Sequence, residues 1–356
     1  MSPAILRLLL FMYTKQTLQV RWGSKVSEKF TVQNGVKQGG VLSPILFAVY
    51  MDGLFTRLSS SGVGCHIGSY FAGGFGYADD LKLLAPSLTG LQRLVVICEN
   101  YANDYDITFN GSKTLFLIFK GRECPNVETC HITVNHVNIT NVNAAPHLGH
   151  QLDANNKESI VQAAKAHFWS SFNLLRADFG HVKSFVQCKL FKQYCCSFYG
   201  AAIWPLSSQS VRDICVAWRR ALRMIWRVPP MTHCDIMPII SDCKPLEVSL
   251  QQRFCKFYLG ISQHGSKLLK TIVAAAHSNP MSVMCNNYID ITNMCKTSIE
   301  NCYNILLDNW VCTLHNNVIT NINVLRDMLN VRDGFMTCDY LSQEDINAII
   351  EDICVN

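Results

Sequence analysis

Charge is scarce in this chain of 356 residues: 16% are Asp, Glu, Lys or Arg, against 49% hydrophobic. That balance excludes a disordered protein and supplies apolar material for one large domain or two modest ones. No apolar run reaches the roughly 18 uncharged residues of a membrane-spanning helix, and the opening stretch Ala4 to Tyr13 is short and broken by Arg7. Neither a spanning segment nor a secretory leader is therefore expected. The reading is an intracellular protein with no membrane partner, and without a clear basic localisation run the sequence leaves nucleus and cytoplasm both open. CxxC pairs and regular cysteine spacing are absent as well, although the chain has 17 cysteines. A disulfide framework is not expected, and most thiols read as reduced and buried. Low-complexity linkers and internal repeats are also missing.

Charge is unevenly placed. Residues 157–232 carry 11 basic and 3 acidic side chains, whereas residues 286–356 carry 3 basic and 10 acidic. A basic block of that size suits a polyanion such as nucleic acid, which the acidic tail would repel. Solvated helix faces account for the same charges equally well.

The pattern along the chain divides it into three parts. Residues 1–153 read as mixed α and β. Leu6, Leu9, Leu10 and Tyr13 recur at helical spacing, and two strands, Leu18 to Trp22 and Lys29 to Gln33, flank a turn at Gly23 and Ser24. A glycine loop, Gly35 to Gly40, leads through a Ser43 cap and Pro44 into a helix with the stripe Leu46, Phe47, Tyr50, Leu54 and Leu58. Residues 71–85 predict a hairpin with two acids at its tip, and Thr89 with Gln92 predicts a capping box for a helix to about Tyr105. Further strands are expected at Ile107 to Phe109 and Leu115 to Phe119, and a hairpin across Asn135 and His136. Residues 154–285 then show helical periods near 157–177, 182–200, 208–227 and 245–262, and the acidic tail 286–356 shows them near 296–309 and 341–353.

The chemistry concentrates on Asp79 and Asp80. Adjacent carboxylates repel unless they are solvated or share a cation, and magnesium takes a few carboxylate oxygens together with substrate phosphates. An Asp-Asp pair by itself is an ordinary polar turn. Four segments nevertheless occur in order: Gly35-Val36-Lys37-Gln38-Gly39-Gly40-Val41-Leu42-Ser43-Pro44, Tyr77-Ala78-Asp79-Asp80, Asn110-Gly111-Ser112-Lys113-Thr114, and His147-Leu148-Gly149-His150. This series resembles the palm of reverse transcriptases, in particular those of non-LTR (LINE-like) retrotransposons. The helical stretch with Arg219-Arg220-Ala221-Leu222-Arg223 and Pro245-Leu246-Glu247 is similar to the region C-terminal to that palm in the same elements.

The resemblance implies an α+β fold, in which a palm-type antiparallel sheet backed by helices is followed by a mainly α-helical, thumb-like domain. It also implies RNA-directed DNA synthesis by two-metal nucleotidyl transfer, with an RNA template, a DNA primer and dNTP as partners. Asp79 and Asp80 would then hold two Mg²⁺ (or Mn²⁺) ions, and Lys113 would neutralise or protonate the leaving pyrophosphate. Gln38, Gly39, Gly40 and Tyr77 would lie at nucleotide and template, and Leu148 with Gly149 would grip the primer. Lys183, Lys189, Lys192, Arg219, Arg220 and Arg223, interleaved with Phe185, Phe191, Tyr194, Trp218 and Trp226, would track the nucleic-acid backbone. Each of these has a plainer reading: a loop feeding a helix, a strand-edge lysine, a tight turn, or core aromatics beside solvated charges.

Two features fall short of the pattern. Cys124, Cys130, His131 and His136 have zinc-like residue types at irregular spacing, and no Cys/His knuckle is found near Cys338 or Cys354. The family's third metal-binding carboxylate has no counterpart either, since Glu28 and Asp52 lie in a turn and in a helix. The sequence reading is therefore a C-terminal piece of a reverse transcriptase, without fingers or endonuclease regions and inactive alone. Its alternative is a non-catalytic nucleic-acid-binding remnant.

Overall fold

The computed structural model describes residues 2–32, 35, 39–119, 130–154, 158–232, 234, 236–241 and 243–317. Gln38, Cys124, Cys338, Cys354 and the helix expected at 341–353 lie outside the described residues. The chain forms two compact units, one of residues up to Cys65 with Phe71–Phe109, the other of His66–Tyr70 with the chain from Asn110 onward.

The first unit opens with helix α1 (Pro3–Thr14), none of whose side chains is buried. The two strands expected between residues 18 and 34 are four shorter ones: β1 (Thr17–Leu18), β2 (Arg21–Trp22), β3 (Lys25–Val26) and β4 (Phe30–Thr31). β2 pairs with β3 across Gly23, which takes φ 61, and β1 pairs with β4. Helix α2 (Ser43–Ser60) follows the glycine loop, with Leu42 as its cap and Pro44 in its first turn, where a missing N–H costs nothing. In chain order a short ribbon of β5 (His66–Ile67) and β6 (Tyr70–Phe71), with His66–Tyr70 counted in the second unit, precedes the acid hairpin, β7 (Gly74–Tyr77) and β8 (Asp80–Leu83). Helix α3 (Leu88–Asp104) begins at Ser87, whose Oγ accepts from the Gly90 N–H at 3.1 Å. The cap is thus Ser87, two residues before the expected Thr89, because Pro86 and Ser87 already break the strand. Met51, Leu54 and Leu58 of α2 meet Leu94, Cys98 and Tyr101 of α3 in a small core closed by Phe55, Leu81 and Leu83.

From Asn110 the second unit continues with a 3₁₀ turn, Gly111–Lys113, where strands were expected on either side. Its neighbourhood makes one bridge, Phe116 to Asn141, among the described residues. The ribbons β9 (His131–Val134) with β10 (Val137–Thr140) and β11 (Ala144–His147) with β12 (His150–Asp153) come next. Both are closed by two-residue turns with positive φ at each position, Asn135 46 and His136 63, Leu148 46 and Gly149 76. Such mirror-image turns match the twist of the paired strands. Every sheet among the described residues is a two-stranded antiparallel ribbon, so the β component is small ribbons and no wide sheet is formed.

The helical remainder comprises α4 (Ser159–Phe179), α5 (Ser184–Tyr194), α6 (Gln209–Trp226), α7 (Ile236–Ile240), α8 (Leu246–His264), α9 (Lys267–His277), α10 (Val283–Cys295) and α11 (Ile299–Asn317). Helix α6 shows why the pattern folds this way. Ser208 caps its first turn, and Val211, Ile214, Trp218, Leu222 and Ile225 recur at three and four residues and are all buried. They pack with Phe168, Phe172 and Phe191 into one core, while Phe254, Ile291, Ile299 and Leu306 form another. Among the described residues no helix is long and apolar enough to cross a membrane.

Candidate functional site

Strand alternation places the two acids. In β7 and β8 the registered pairs are Gly74 with Leu83, Phe75 with Lys82, Gly76 with Leu81 and Tyr77 with Asp80. Gly74, Gly76, Leu81 and Leu83 therefore share the face that packs on α2, and Phe75, Tyr77, Asp80 and Lys82 share the opposite one. Closeness favours glycine at position 76, where a Cβ would lie 2.6 Å from Phe55 Cζ, while one at Gly74 would make a tight 3.3 Å contact with Leu58 Cδ1. Removing side chains from one face lets the helix hold the ribbon, which leaves the other face outward.

At the tip, Ala78 takes φ 52, a left-handed backbone that alanine rarely adopts, and Asp79 completes the turn. Strain of this kind persists where the surroundings over-determine it, as at ligand and catalytic sites. Asp79 and Asp80 are exposed, and Tyr77 beside them is 66% exposed. Burial pulls the Lys82 ammonium below its usual range, while Asp80 on the same strand face pulls it back.

Two adjacent carboxylates with open solvent around them offer hard oxygen donors only, which suits Mg²⁺ or Mn²⁺ completed by water and substrate phosphates. Among the described residues no group of three His, Cys, Asp or Glu side chains comes together as a metal site, so this pair is the donor set the hairpin presents. Cys130, His131 and His136 fall under the same statement.

The other candidates lie on turns and loops. Gly39 takes φ 80 with nothing within 4 Å of where a Cβ would sit, and the Gly40 carbonyl accepts from the Ser43 N–H at 3.2 Å to start α2. In the second unit Lys113 is exposed at the end of its 3₁₀ turn, where the Asn110 Oδ1 accepts from its N–H at 3.2 Å. Gly111 fixes that turn, because a Cβ there would lie 3.1 Å from the Val134 carbonyl oxygen. Leu148 and Gly149 form the turn between β11 and β12.

The basic residues divide into two sets. Lys183, Lys189 and Arg220 are exposed; Lys189 lies 4.3 Å from the Phe185 ring centroid and Arg220 5.9 Å from that of Trp169. Lys192 is half-buried. By contrast Arg219 is ion-paired with Glu247, and Arg223 donates from Nε and Nη2 to the Thr232 carbonyl at 3.0 and 2.8 Å. Burial lowers the Arg223 pKa. The aromatics divide likewise, with Phe185 and Tyr194 exposed and Phe191, Trp218 and Trp226 in the core. The Arg219–Glu247 pair ties α6 to α8, a connection that the Arg-Arg-Ala-Leu-Arg and Pro-Leu-Glu segments carry without announcing it.

Residues 4–159 match the family model described as reverse transcriptase (RNA-dependent DNA polymerase). Over that segment the chain is similar to reverse transcriptases of non-LTR retrotransposons. It is 36% identical over 96 residues to the retrovirus-related Pol polyprotein from type-2 retrotransposable element R2DM of Drosophila melanogaster, covering 27% of this chain and 9% of that protein. Pol polyproteins from type-1 retrotransposable element R2 of Popillia japonica match at 41% identity over 68 residues and 33% over 100, covering 17% and 28% of this chain and 10% and 14% of theirs. The chain thus spans a small part of the length of the curated relatives it matches.

Proposed function

We propose that this chain carries part of an RNA-directed DNA polymerase site, with Asp79 and Asp80 as its metal-holding carboxylates. The observation behind this reading is the strained, outward-facing tip at Ala78, which displays both acids next to Tyr77 on a ribbon held from behind by Phe55. A divalent ion there supplies electrostatic stabilisation of the transferring phosphoryl group and lowers the pKa of an attacking hydroxyl. Tyr77 offers an aromatic face at the same site. Gly39, with its surroundings open, lets backbone approach a base pair, and Gln38 contributes hydrogen bonds to template or nucleotide. Lys113 compensates charge on the leaving pyrophosphate, Leu148 and Gly149 hold the primer, and Lys183, Lys189, Lys192 and Arg220 contact phosphates without reading sequence. Arg219 and Arg223 support that surface through Glu247 and Thr232.

Two carboxylates hold two ions poorly, so the 1–356 polypeptide alone is expected to bind Mn²⁺ yet extend no primer. Manganese titration followed by electron paramagnetic resonance tests the first half: Asp79→Asn and Asp80→Asn should each lose the bound ion without changing the melting temperature. Equal Mn²⁺ affinity in wild type and both variants overturns the assignment. Primer extension on a primed RNA template tests the second half, and steady incorporation that Asp79→Asn removes would overturn it. Salt-sensitive nucleic-acid binding with no metal affinity would favour the reading as a non-catalytic binding module.

A further inference from the structure

The loop after α5 displays one tyrosine at considerable cost. Phe198 takes φ 39, Gly200 takes φ 74, and between them Tyr199 stands 67% exposed while Phe198 is buried in the aromatic core against Phe168. Arg253 pins the segment by donating to the carbonyls of Ser197 at 2.8 Å and Phe198 at 3.2 Å. The Tyr199 ring therefore sits on a fixed loop. Its partner is His150 at the start of β12, stacked at 4.8 Å between centroids and 24° between planes. Position 200 favours glycine, since its φ is 74 and a Cβ there would lie 1.8 Å from His150 Cε1, so that the His150 ring would have to move. A Cβ at Gly149, in the turn preceding His150, would already touch Tyr199 at 3.4 Å. Beside this ring pair opens a cavity of about 310 Å³ with Phe168 and Ile160 in its lining and His150, Gln151, His167 and Tyr199 as polar-edged walls.

We infer that Tyr199 and His150 form a stacking platform for a single unpaired nucleobase at the end of a strand, whose edge enters the adjacent cavity. The size supports one planar ring system, as the cavity lies at the lower limit of small-ligand pockets. The chemistry supports a base too, since an exposed aromatic face beside hydrogen-bonding His and Gln edges serves every base by stacking. Left-handed backbone at Phe198 on one side of Tyr199, and a glycine that leaves room for His150 on the other, mark the exposed ring as held for contact. The assignment rests on the nucleic-acid-binding reading above and adds to it a base contact that the phosphate-contacting lysines do not make.

The test uses the 1–356 polypeptide and a primer–template carrying 2-aminopurine as an unpaired 3′-terminal nucleotide, with a fully paired blunt duplex as reference. Wild type and Tyr199→Phe should quench the 2-aminopurine emission on binding. Tyr199→Ala should lose the quench and bind the unpaired-end probe about 5- to 150-fold more weakly, with affinity for the blunt duplex and the melting transition unchanged. His150→Ala should reduce the quench in the same direction. Tyr199→Ala binding the unpaired-end probe as tightly and with the same quench as wild type overturns the platform. Wild type binding both probes without quenching the unpaired 2-aminopurine overturns the platform alone, whereas no binding of either probe overturns the nucleic-acid reading with it.

Discussion

Helices α1 and α6 are both rich in apolar residues, yet α1 buries none of its side chains and α6 buries Val211, Ile214, Trp218, Leu222 and Ile225 among others. The same contrast runs through the units that contain them. Around the first come Trp22 at 86% and Val41 at 89% exposure, and the core there is closed by α2, α3 and one ribbon. In the second, aromatic rings from several helices lock together, with Phe168 5.8 Å from Phe191 and 5.8 Å from Phe198. Apolar content does not bury a helix. A stripe does, when another element presents a matching face, and α1 is apolar nearly all round while α6 confines its apolar side chains to one side. The unit bearing the carboxylates is accordingly the thinner one, and exposed apolar surface on that scale marks it as a surface for contact and as a risk for association.

The sharpest test of this difference is to remove a ring from the thick core. Phe168 is 1% exposed and meets Trp169, Phe172, Phe191 and Phe198. Phe168→Ala should cost about 3–5 kcal/mol in the second unit. Calorimetry should show its transition fall while the transition of the first unit, followed by Mn²⁺ binding at Asp79 and Asp80, stays in place. A single transition that moves as one would remove the contrast.

How much of this was legible in the sequence depended on what decides each element. Strong local signals were sufficient for the acid hairpin, the Asn135-His136 hairpin and helices α2, α4, α6 and α8, whose period or turn chemistry points one way. α10 was not legible, because its asparagines lower helix propensity and one of them is decided by tertiary contact. Asn287 is buried, donating to the Trp204 carbonyl at 2.8 Å and accepting from the Leu206 N–H at 3.0 Å. The turn expected at Asn110-Gly111 is present, with Gly111 pressed against Val134 and Val137, but the strands expected on either side of it are not formed, apart from the bridge at Phe116. The order of short motifs carries the acids and glycines in the sequence, whereas the pairing of Arg219 with Glu247 and of Arg223 with Thr232 required knowing which segments meet. Tyr199 had no signal at all, since its display depends on backbone angles at Phe198 and Gly200.

A smaller effect is expected from the thin unit at the point where closeness matters. Gly76→Val would force a side chain into Phe55, which has only part of a core in which to retreat. The expected cost is about 1–3 kcal/mol, with weaker Mn²⁺ binding because the ribbon carrying Asp79 and Asp80 is pushed off α2. Unchanged metal affinity beside a lowered melting temperature would mean that the tip keeps its shape independently of its backing.

Alkaline pH should narrow the difference between the units, and the sign is set by the buried thiols. Desolvation pushes Cys98 in the first unit up to about 12, and in the second unit Cys255 and Cys302 up to about 12 and Cys195 up to about 11. An unfolded thiol ionises near 8.5, so stability from keeping these groups neutral is fully present below that pH and is lost as pH rises toward the folded values. Each thiol costs about 1 kcal/mol at one pH unit above the unfolded value. The second unit holds more of them, so its transition should fall faster than that of the first between pH 7.5 and 9.5. Cys98→Ala should make the first transition less sensitive to pH over that interval while leaving the slope of the second unchanged. Equal slopes in wild type would show that the thiols of the thick core reach water before it unfolds.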